Sequence, residues 1–248
     1  MEQLIEQLED MNVSYNSLSK IQDKDGIVVA RVCHNNGTYI IKYFHSLEHR
    51  REIINYKIME ELSIPALGII KSTDCALLME DISSSDIYRL GMTADLNDTE
   101  VAVHIANWYR LLHEKGYAYV SCHNADLYDE SDVITMEAIQ IIKHVTKTEG
   151  LPVWKLFAEN LNIIKQKIKQ VKHTLTYNDF YYTNLIVAKD KSSAFMYDYN
   201  LLGKGYAYAD VRNVCSSLGE AAKHAFLSEY GAFDRNEIIV DDVASVIA

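Results

Sequence analysis

Two carboxylates and one amide lie along residues 175–200 at a spacing that suits phosphoryl transfer. Asp179 is followed, after four intervening residues, by Asn184, and a short apolar strand pattern with its return leads to Asp198. One carboxylate can orient an acceptor hydroxyl and take its proton, while an amide oxygen and a second carboxylate can hold magnesium against phosphates. On its own this spacing is more typical of an ordinary turn than of a phosphoryl-transfer site. Other residues of the chain are needed to distinguish the two interpretations.

A lysine and a glutamate nearer the N-terminus supply a cation and a partner for it. Lys42 ends the apolar run of residues 39–41, where a lysine is either a solvated edge charge or a group that binds nucleotide phosphates. Glu52 stands at the start of a predicted helix and can pair with Lys42 if that helix packs on the strand. Glu48, one turn earlier, is the competing candidate.

The hydrophobic pattern divides the chain into a strand-rich N-terminal part and a mostly helical C-terminal part. Alternating apolar residues predict strands, and an apolar repeat every three to four residues predicts helices. In the first part, the pattern predicts a short helix within 1–19, strands at 27–32, 38–44, 67–71 and 75–80, and a helix at about 47–62 whose apolar face carries Ile54, Ile58 and Leu62. In the second part, it predicts helices at 99–115 (closed by Gly116), 131–147, 153–173 and from 213 onward, and short strands at 174–177, 185–188 and 194–197. We therefore predict two lobes, residues 1–82 and 83–248.

Composition and charge narrow the classes of partner. The 248 residues carry 24 Lys and Arg against 35 Asp and Glu, a formal net charge of −11. This acidic excess argues against a nucleic-acid partner and favours cationic ligands such as a metal or an aminated substrate. The N-terminus does not resemble a signal peptide, no apolar run is long enough to span a membrane, and the four cysteines are scattered. We therefore expect a cytoplasmic protein with no membrane partner.

Motifs in a fixed order along residues 27–213 are similar to those of one enzyme family. That family's catalytic loop reads His-Gly-Asp-x-x-x-x-Asn, and residues 177–184 read Tyr-Asn-Asp-Phe-Tyr-Tyr-Thr-Asn. Its metal motif, its Gly…Asp-Leu-Ala segment, its Leu-x-x-Leu-His helix and its hinge are matched by residues 197–199, 205–211, 108–113 and 77–82, respectively. The sequence thus resembles the aminoglycoside phosphotransferase family of the protein-kinase-like superfamily. The resemblance implies an α+β, bilobal protein-kinase-like fold, with a small antiparallel β-sheet N-lobe containing one main helix and a larger, mostly helical C-lobe.

The resemblance also implies a role for each matching residue of the catalytic loop and metal motif. Asp179 would be the catalytic base, or the group that orients the acceptor hydroxyl. Asn184 and Asp198 would be the ligands of Mg²⁺. Asp210 would support the catalytic loop without touching substrate, and it could also cap a helix.

For the nucleotide, ATP or GTP, the resemblance implies a binding site in the N-terminal part. Lys42 would bind the α- and β-phosphates, and Glu52 would position it. The backbone from Glu80 to Ile82 would hydrogen-bond the adenine. There is no Gly-x-Gly-x-x-Gly motif, so the turn at residues 23–26 is the candidate phosphate loop.

Two substitutions depart from the family pattern. Tyr177 stands where the family has His, and Asn178 stands where it has Gly. A phenol can replace one hydrogen bond of an imidazole but cannot carry its positive charge. The backbone support of the loop must therefore differ from that of the family.

The predicted activity is transfer of the γ-phosphoryl group to a hydroxyl of a small molecule. Candidates for contacts with a cationic acceptor, such as an aminoglycoside or a choline-like compound, are Asp126, Asp129, Glu130, Glu229, Asp234 and Glu237, and for ring stacking Tyr181, Tyr182 and Tyr199. The altered loop prompts an alternative, a nucleotide-binding pseudokinase that acts as an interaction module. A protein kinase is disfavoured because only eleven residues separate Asp198 from Asp210, with no Ala-Pro-Glu-like anchor among them.

Overall fold

The N-terminal part of the chain is built on a five-stranded antiparallel sheet. The structure is a computed structural model and describes residues 1–123 and 127–247. Helix α1 (Glu2–Asp10) precedes strands β1 (Ser17–Lys24), β2 (Ile27–His34) and β3 (Gly37–Phe44), and helix α2 (Arg51–Glu61) leads to β4 (Ile69–Ser72) and β5 (Ala76–Glu80). The strand order is β1-β2-β3-β5-β4. Alternation explains β2, in which Val28, Ala30 and Val32 are buried against α1.

The hydrophobic pattern did not predict strand β1, because neither face of this strand is buried. Seven of its eight residues are exposed, so it lacks the alternation that reveals a half-buried strand. It lies at the edge of the sheet and pairs only with β2. Lys20, Asp23 and Lys24 make it a charged edge, which disfavours pairing with another chain.

Helix α2 is present as predicted, but the buried face differs from the predicted one. Ile58 is buried, whereas Ile54 is 60% exposed. The buried face instead includes Glu52 and Asn55, whose side chains bond to groups from β3 and from the C-terminal part. Ile53, Tyr56 and Met59 are also buried on that face, so apolar packing and polar contacts together hold the orientation of this helix.

The C-terminal part is mostly helical with two small sheets. Its helices are α3 (Thr99–Cys122), α4 (Met136–Val145), α5 (Val153–Gln170), α6 (Ala207–Ser217), α7 (Glu220–Tyr230) and α8 (Arg235–Ala244). One sheet has the order β10-β9-β6, formed by β6 (Tyr88–Leu90), β9 (Leu185–Ala188) and β10 (Ala194–Met196). The other has the order β7-β11-β8, formed by β7 (Tyr128–Asp129), β8 (Thr174–Thr176) and β11 (Gly203–Gly205).

The prediction that Gly116 ends helix α3 is wrong. The helix continues to Cys122, and Gly116 lies inside it, where a Cβ atom would come within 2.5 Å of the backbone nitrogen of Leu175. The glycine therefore permits close approach of α3 to β8 and is not a stop signal.

One large hydrophobic core joins α2, α3 and the β9–β10 hairpin. The α+β arrangement expected from the sequence is confirmed, with an antiparallel sheet in the N-terminal part and helices dominating the C-terminal part. In the described ranges, 1–123 and 127–247, every helix is too short or too polar to cross a membrane. The division into lobes at residue 82 stays a prediction.

Candidate active site

The hairpin formed by β9 and β10 brings Asn184 and Asp198 to the same end. Leu185 pairs with Met196, and the carbonyl of Asn184 accepts a hydrogen bond of 3.0 Å from the amide of Tyr197. Asp198 follows at once and has a left-handed backbone conformation with φ of 65°. Two residues fourteen positions apart are thus neighbours because the strands between them pair.

Asp179 lies beside this pair. The amide of Asn184 donates to Asp179 Oδ2 at 2.9 Å and to the Asp179 carbonyl at 3.2 Å. Burial raises the pKa of the Asp179 carboxyl, and the nearby charge of Asp198 raises it further. The hydrogen bond therefore orients a carboxylate whose affinity for a proton is above that of an ordinary aspartate.

Lys42 joins the sheet to the metal motif. In the middle of the sheet it pairs with Val29 on β2 and Leu77 on β5. Its Nζ lies 2.6 Å from Glu52 Oε2 and 2.8 Å from Asp198 Oδ1. The predicted pairing of Lys42 with Glu52 is therefore present in the structure.

The competing glutamate is not the partner of Lys42. Glu48 is 73% exposed at its side chain and lies 3.3 Å from Arg51. It precedes α2, whereas Glu52 lies in the first turn of that helix and is fully buried. Spacing allowed either Glu48 or Glu52 as the partner of Lys42, and burial identifies Glu52.

The ion pair is buried, and the two partners respond differently to burial. Burial alone would lower the pKa of Lys42, but the charges of Glu52 and Asp198 outweigh it and raise that pKa. Burial raises the pKa of Glu52 to about 7 despite the opposing effect of Lys42. Lys42 therefore stays protonated near neutral pH, while Glu52 is the member of the pair that titrates there.

Asp210 holds the backbone of the catalytic loop. Its carboxylate accepts the amides of Tyr177 at 2.7 Å and Asn178 at 2.8 Å. It also lies 3.1 Å from Nε2 of the buried His113. Asp210 lies within the first turns of α6, whose N-cap is Tyr206, so the suggestion that it also caps the helix is wrong.

Both departures from the family pattern have structural explanations. Tyr177 is fully buried, and its hydroxyl donates to the carbonyl of Tyr197 at 2.5 Å. Asn178 has φ of 65°, a conformation open to glycine and tolerated best by asparagine among larger residues. Its amide donates to Thr176 Oγ1 and to the carbonyl of Leu201, both at 3.0 Å. The loop is therefore supported by groups of its own.

A cleft of about 350 Å³ opens between the sheet, the hinge and Asp198. It is lined by Ile21, Gln22, Ile27, Val29, Arg31, Ile40, Lys42, Leu67, Met79, Glu80, Asp81, Ile82, Ser83, Leu90, Tyr197 and Asp198. Apolar walls, with Lys42 and Asp198 among the charged lining residues, suit an adenine or guanine base with its phosphates. The predicted nucleotide residues Lys42, Glu80 and Ile82 all line this cleft, while Glu52 acts on it through Lys42.

The hinge is tied to the sheet by Arg31, which the sequence did not single out. Arg31 Nε donates to Asp81 Oδ2 at 2.6 Å, and its guanidinium also reaches Ser83 Oγ at 2.9 Å. Asp81 is 3% exposed and additionally accepts the amide of Ser83 at 3.0 Å. An isolated arginine in a strand carries no sequence signal for such a contact.

The candidate phosphate loop is a tight turn beside this cleft. Asp25 and Gly26, both with positive φ, join β1 to β2. The twist of such a turn suits a hairpin. A side chain on Gly26 would approach the ring of His49, 3.6 Å away. The turn thus contains one glycine, and its assignment as the phosphate loop stays a prediction.

Asn55 is the second contact that sequence reasoning missed. Its buried amide donates to the carbonyl of Tyr199 at 2.6 Å. The bond attaches α2 to the segment that follows Asp198. An asparagine inside a helix, three residues after Glu52, was the available signal, because such a residue is buried only when its amide is bonded.

Most of the acidic residues proposed to contact a cationic acceptor bond or pair with other groups of the chain. Asp126 lies outside the described residues, and so does the side chain of Glu130. Asp129 and Asp234 accept backbone amides at 3.0 and 2.8 Å, Glu229 lies 3.4 Å from Arg110, and the buried Glu237 accepts the amide of Tyr208 at 3.0 Å.

Of the three tyrosines proposed to stack on an acceptor, one is excluded. Tyr199 is fully buried and forms an edge contact with Tyr56, with ring centroids 4.7 Å apart. Tyr181 is 63% exposed and Tyr182 is 36% exposed, and both lie between Asp179 and Asn184. Only these two rings of the set remain open to a ligand.

The donor set at the end of the β9–β10 hairpin fits magnesium. Asn184 and Asp198 provide an amide oxygen and carboxylate oxygens, which are the hard ligands that Mg²⁺ prefers. Across the described part of the chain, no group of three or more His, Cys, Asp or Glu side chains could hold a metal. A site with two protein residues suits a metal whose remaining ligands are water and phosphate oxygens.

Comparisons with known proteins bear on the fold. No protein-family profile and no curated protein sequence matches the chain. The solved structure of choline kinase LicA from Streptococcus pneumoniae is similar, with a TM-score of 0.68, 13% identity, and coverage of 100% of this chain and 88% of that one. Macrolide 2'-phosphotransferase MphH from Brachybacterium faecium gives a TM-score of 0.66 at 13% identity, with 99% and 88% covered.

A third structure contains ligands. Spectinomycin phosphotransferase APH(9)-Ia, in complex with ADP and spectinomycin, gives a TM-score of 0.63 at 12% identity, with 98% of this chain and 86% of that one covered. All three structures are small-molecule phosphotransferases or kinases, and the overlap extends over nearly the whole of each chain. The chain therefore shares its fold with these small-molecule kinases and phosphotransferases, as the resemblance of its motifs to the aminoglycoside phosphotransferase family predicted.

Proposed function

We propose that this protein transfers the γ-phosphoryl group of ATP or GTP to a hydroxyl of a small molecule. The observation that carries the proposal is a linked cluster of five residues beside one cleft, which Lys42 and Asp198 line. Lys42 pairs with Glu52 and Asp198. Asn184, which bonds to Asp179, lies at the same end of the β9–β10 hairpin as Asp198. These residues come from β3, α2 and the segments flanking the β9–β10 hairpin. Phosphoryl transfer depends mainly on positioning and charge neutralisation, and this set supplies both.

In this proposal, Lys42 acts on the nucleotide phosphates and Asp179 acts on the acceptor hydroxyl. Lys42 Nζ neutralises charge on the α- and β-phosphates, and its bonds to Glu52 and Asp198 keep it pointed into the cleft. Asp179 accepts the proton of the acceptor hydroxyl on its carboxylate. Asn184 holds that carboxylate through a 2.9 Å hydrogen bond.

Asn184 and Asp198 would hold Mg²⁺, which when bound neutralises the charge that develops on the phosphates. The hairpin orients both residues before any ligand arrives, because the bond between the Asn184 carbonyl and the Tyr197 amide closes its end. Asp210 fixes the amides of Tyr177 and Asn178 and thereby the start of the loop that carries Asp179.

We further propose an aminated acceptor. The net charge of −11 favours a cationic ligand. Similar structures include kinases of choline and ethanolamine and phosphotransferases of aminoglycosides and spectinomycin. The exposed rings of Tyr181 and Tyr182 beside Asp179 can contact an ammonium group by a cation–π interaction.

The pseudokinase alternative is less well supported. A protein that only binds nucleotide has no need of a carboxylate held beside the metal ligands, yet Asp179 is held there by Asn184. The altered residues Tyr177 and Asn178 support the loop by hydrogen bonds of their own.

A nucleotide-consumption screen tests the proposal. The purified protein is incubated with Mg²⁺ and ATP or GTP, and with amino alcohols, aminoglycosides or neutral sugars, and products are identified by mass spectrometry. We expect a phosphorylated acceptor from one aminated class, and none without Mg²⁺. Magnesium-dependent nucleotide binding with no phosphorylated product from any class would contradict the proposal and favour the pseudokinase.

A further inference from the structure

A chain of hydrogen bonds, buried at its centre, links the end of α7 to the loop that carries Asp179. The hydroxyl of Tyr230, the last residue of α7, lies 2.6 Å from His113 Nδ1. On the other side of the ring, His113 Nε2 lies 3.1 Å from Asp210 Oδ2. His113 is 2% exposed and Asp210 is 1% exposed, so the bond between them is buried, whereas the bond to the half-buried Tyr230 is partly buried.

Hydrogen-bond chemistry assigns a direction to this chain. An ionised carboxylate only accepts, so His113 Nε2 donates to Asp210. In the tautomer that donates from Nε2, Nδ1 accepts from the hydroxyl of Tyr230. Burial raises the pKa of that phenol, which keeps its proton in place. Tyr230 thus holds the tautomer and the ring orientation in which His113 donates to Asp210.

Asp210 connects His113 to the loop that carries Asp179. Its Oδ2 receives both His113 and the amide of Tyr177, and its Oδ1 receives the amide of Asn178. Asp179 is the next residue. If His113 turned away, the buried carboxylate would lose one of three donors and would hold the two amides less firmly.

The end of α7 is itself fixed in space. The guanidinium of Arg110, on the same helix as His113, donates to the carbonyl of Glu229 at 2.6 Å. The ring of Tyr230 stacks between Phe226 and Phe233, with centroid distances of 5.9 and 5.1 Å. The hydroxyl of Tyr230 is therefore held at a defined position relative to His113.

We infer that Tyr230, acting through His113, is a positioning residue for the catalytic loop. The inference rests on the proposed function in one respect, namely that the loop carries the group that accepts the proton. It adds the C-terminal end of α7 to the elements that determine the geometry of Asp179.

Hydrogen–deuterium exchange of the loop amides tests the inference without any turnover. Tyr230→Phe removes only the hydroxyl. Tyr109→Phe is the matched control, because within the described residues the buried hydroxyl of Tyr109 has no hydrogen-bond partner although its ring contacts Tyr177. We expect a peptide covering residues 177–179 to exchange about 5- to 10-fold faster in Tyr230→Phe, the loss of about one hydrogen bond. Equal exchange in Tyr230→Phe, Tyr109→Phe and wild type would overturn the inference.

Two substitutions of the histidine separate its two bonds. His113→Gln places an amide near the Nε2 position and keeps a donor for Asp210, whereas His113→Asn places it near Nδ1 and loses that donor. We expect slow loop exchange to be retained in His113→Gln and lost in His113→Asn. In the His113→Gln background, Tyr230→Phe should add nothing, because its route to Asp210 is already absent. Equal exchange in the two histidine variants, or a full additional effect of Tyr230→Phe, would contradict the route through His113.

Kinetics provide a second readout. In Tyr230→Phe, kcat for the acceptor found in the screen should fall about 5- to 10-fold, with KM for the nucleotide unchanged. A purely structural defect would instead lower Tm, and an effect on nucleotide binding would raise KM. If wild type phosphorylates no acceptor, the proposed function fails, and the exchange experiment alone decides the role of Tyr230.

Discussion

Lys42 and Asp198, which are 156 residues apart in the chain, form a 2.8 Å ion pair at the mouth of the cleft. The contact joins the N-terminal sheet to the metal motif of the C-terminal part. Glu52 completes the cluster at 2.6 Å from the same ammonium. The buried ammonium of Lys42 is thus shared by the carboxylates of Glu52 and Asp198. The prediction on pH and stability follows from this arrangement.

The first prediction concerns stability against pH. The folded protein raises the pKa of Glu52 from 4.5 to about 7. Because this pKa is raised, the associated stability is present below the unfolded value and is lost as pH rises through about 7. We expect the free energy of unfolding to fall by on the order of 3 kcal/mol between about pH 4.5 and pH 8 from this group. Urea titrations across this range measure it.

Glu52→Gln should remove most of this pH dependence, since an amide does not titrate. Glu48→Gln is the control, because Glu48 is exposed and paired only with Arg51 among the described residues. A pH dependence that survives in Glu52→Gln, or disappears in Glu48→Gln, would assign the titration to another group.

The second prediction concerns the tyrosine that replaces histidine in the loop. Tyr177→Phe removes the hydrogen bond to the carbonyl that precedes Asp198. We expect kcat to fall about 5- to 10-fold, as for the loss of one hydrogen bond, with half-saturation by Mg²⁺ shifted upward. Magnesium titrations of the initial rate measure both quantities. If Tyr177→Phe behaves like Tyr109→Phe, the hydroxyl has no role in placing Asp198.

The third prediction concerns the left-handed backbone at Asn178. Asn178→Ala removes two hydrogen bonds and places a Cβ in an unfavourable conformation, so we expect about 2–3 kcal/mol of destabilisation. Asn178→Gly loses the same bonds but relieves the backbone, and we expect about 1 kcal/mol. Denaturant midpoints measure both. A more stable alanine variant would show that the backbone conformation is of no importance here.

The fourth prediction concerns the contact between α3 and β8. Helix propensity alone would favour Gly116→Ala by about 1 kcal/mol. The new Cβ would lie 2.5 Å from both Leu175 N and Thr174 Oγ1, so we expect a net destabilisation of about 3 kcal/mol. Gly150→Ala is the control because nothing lies within 4 Å of its Cβ position. A stabilised Gly116→Ala variant would mean that the two elements can separate at no cost.

The sequence predicted the fold through its motifs and through strands with one buried face. Strand β2 alternates because one face packs on α1, and it was found. Strand β1 has no buried face and was missed. The short strands β6, β7 and β11 contain only two or three residues each, too few for a repeat to emerge.

The sequence predicted those residues of the candidate site that belong to a motif or have a characteristic spacing. Asn184 and Asp198 are brought together by the β9–β10 pairing that the apolar pattern indicated, and Asn184 holds Asp179 beside them through a hydrogen bond. Arg31, Asn55 and Tyr230 were not found, because each acts through a contact with a residue far away in the chain. Such contacts depend on how the elements pack, and at most a residue type unusual for its place, such as Asn55 inside a helix, hints at them in a single sequence.

The central claim is that Asp179 accepts the proton of the acceptor during phosphoryl transfer. Single-turnover transfer from γ-labelled nucleotide, with wild type, Asp179→Asn and the exposed-turn control Asp190→Asn, tests it most directly. We expect all three proteins to bind the magnesium–nucleotide complex, and only Asp179→Asn to lose transfer, by about 10²–10⁴-fold. Transfer by Asp179→Asn at the rate of wild type would contradict the assignment.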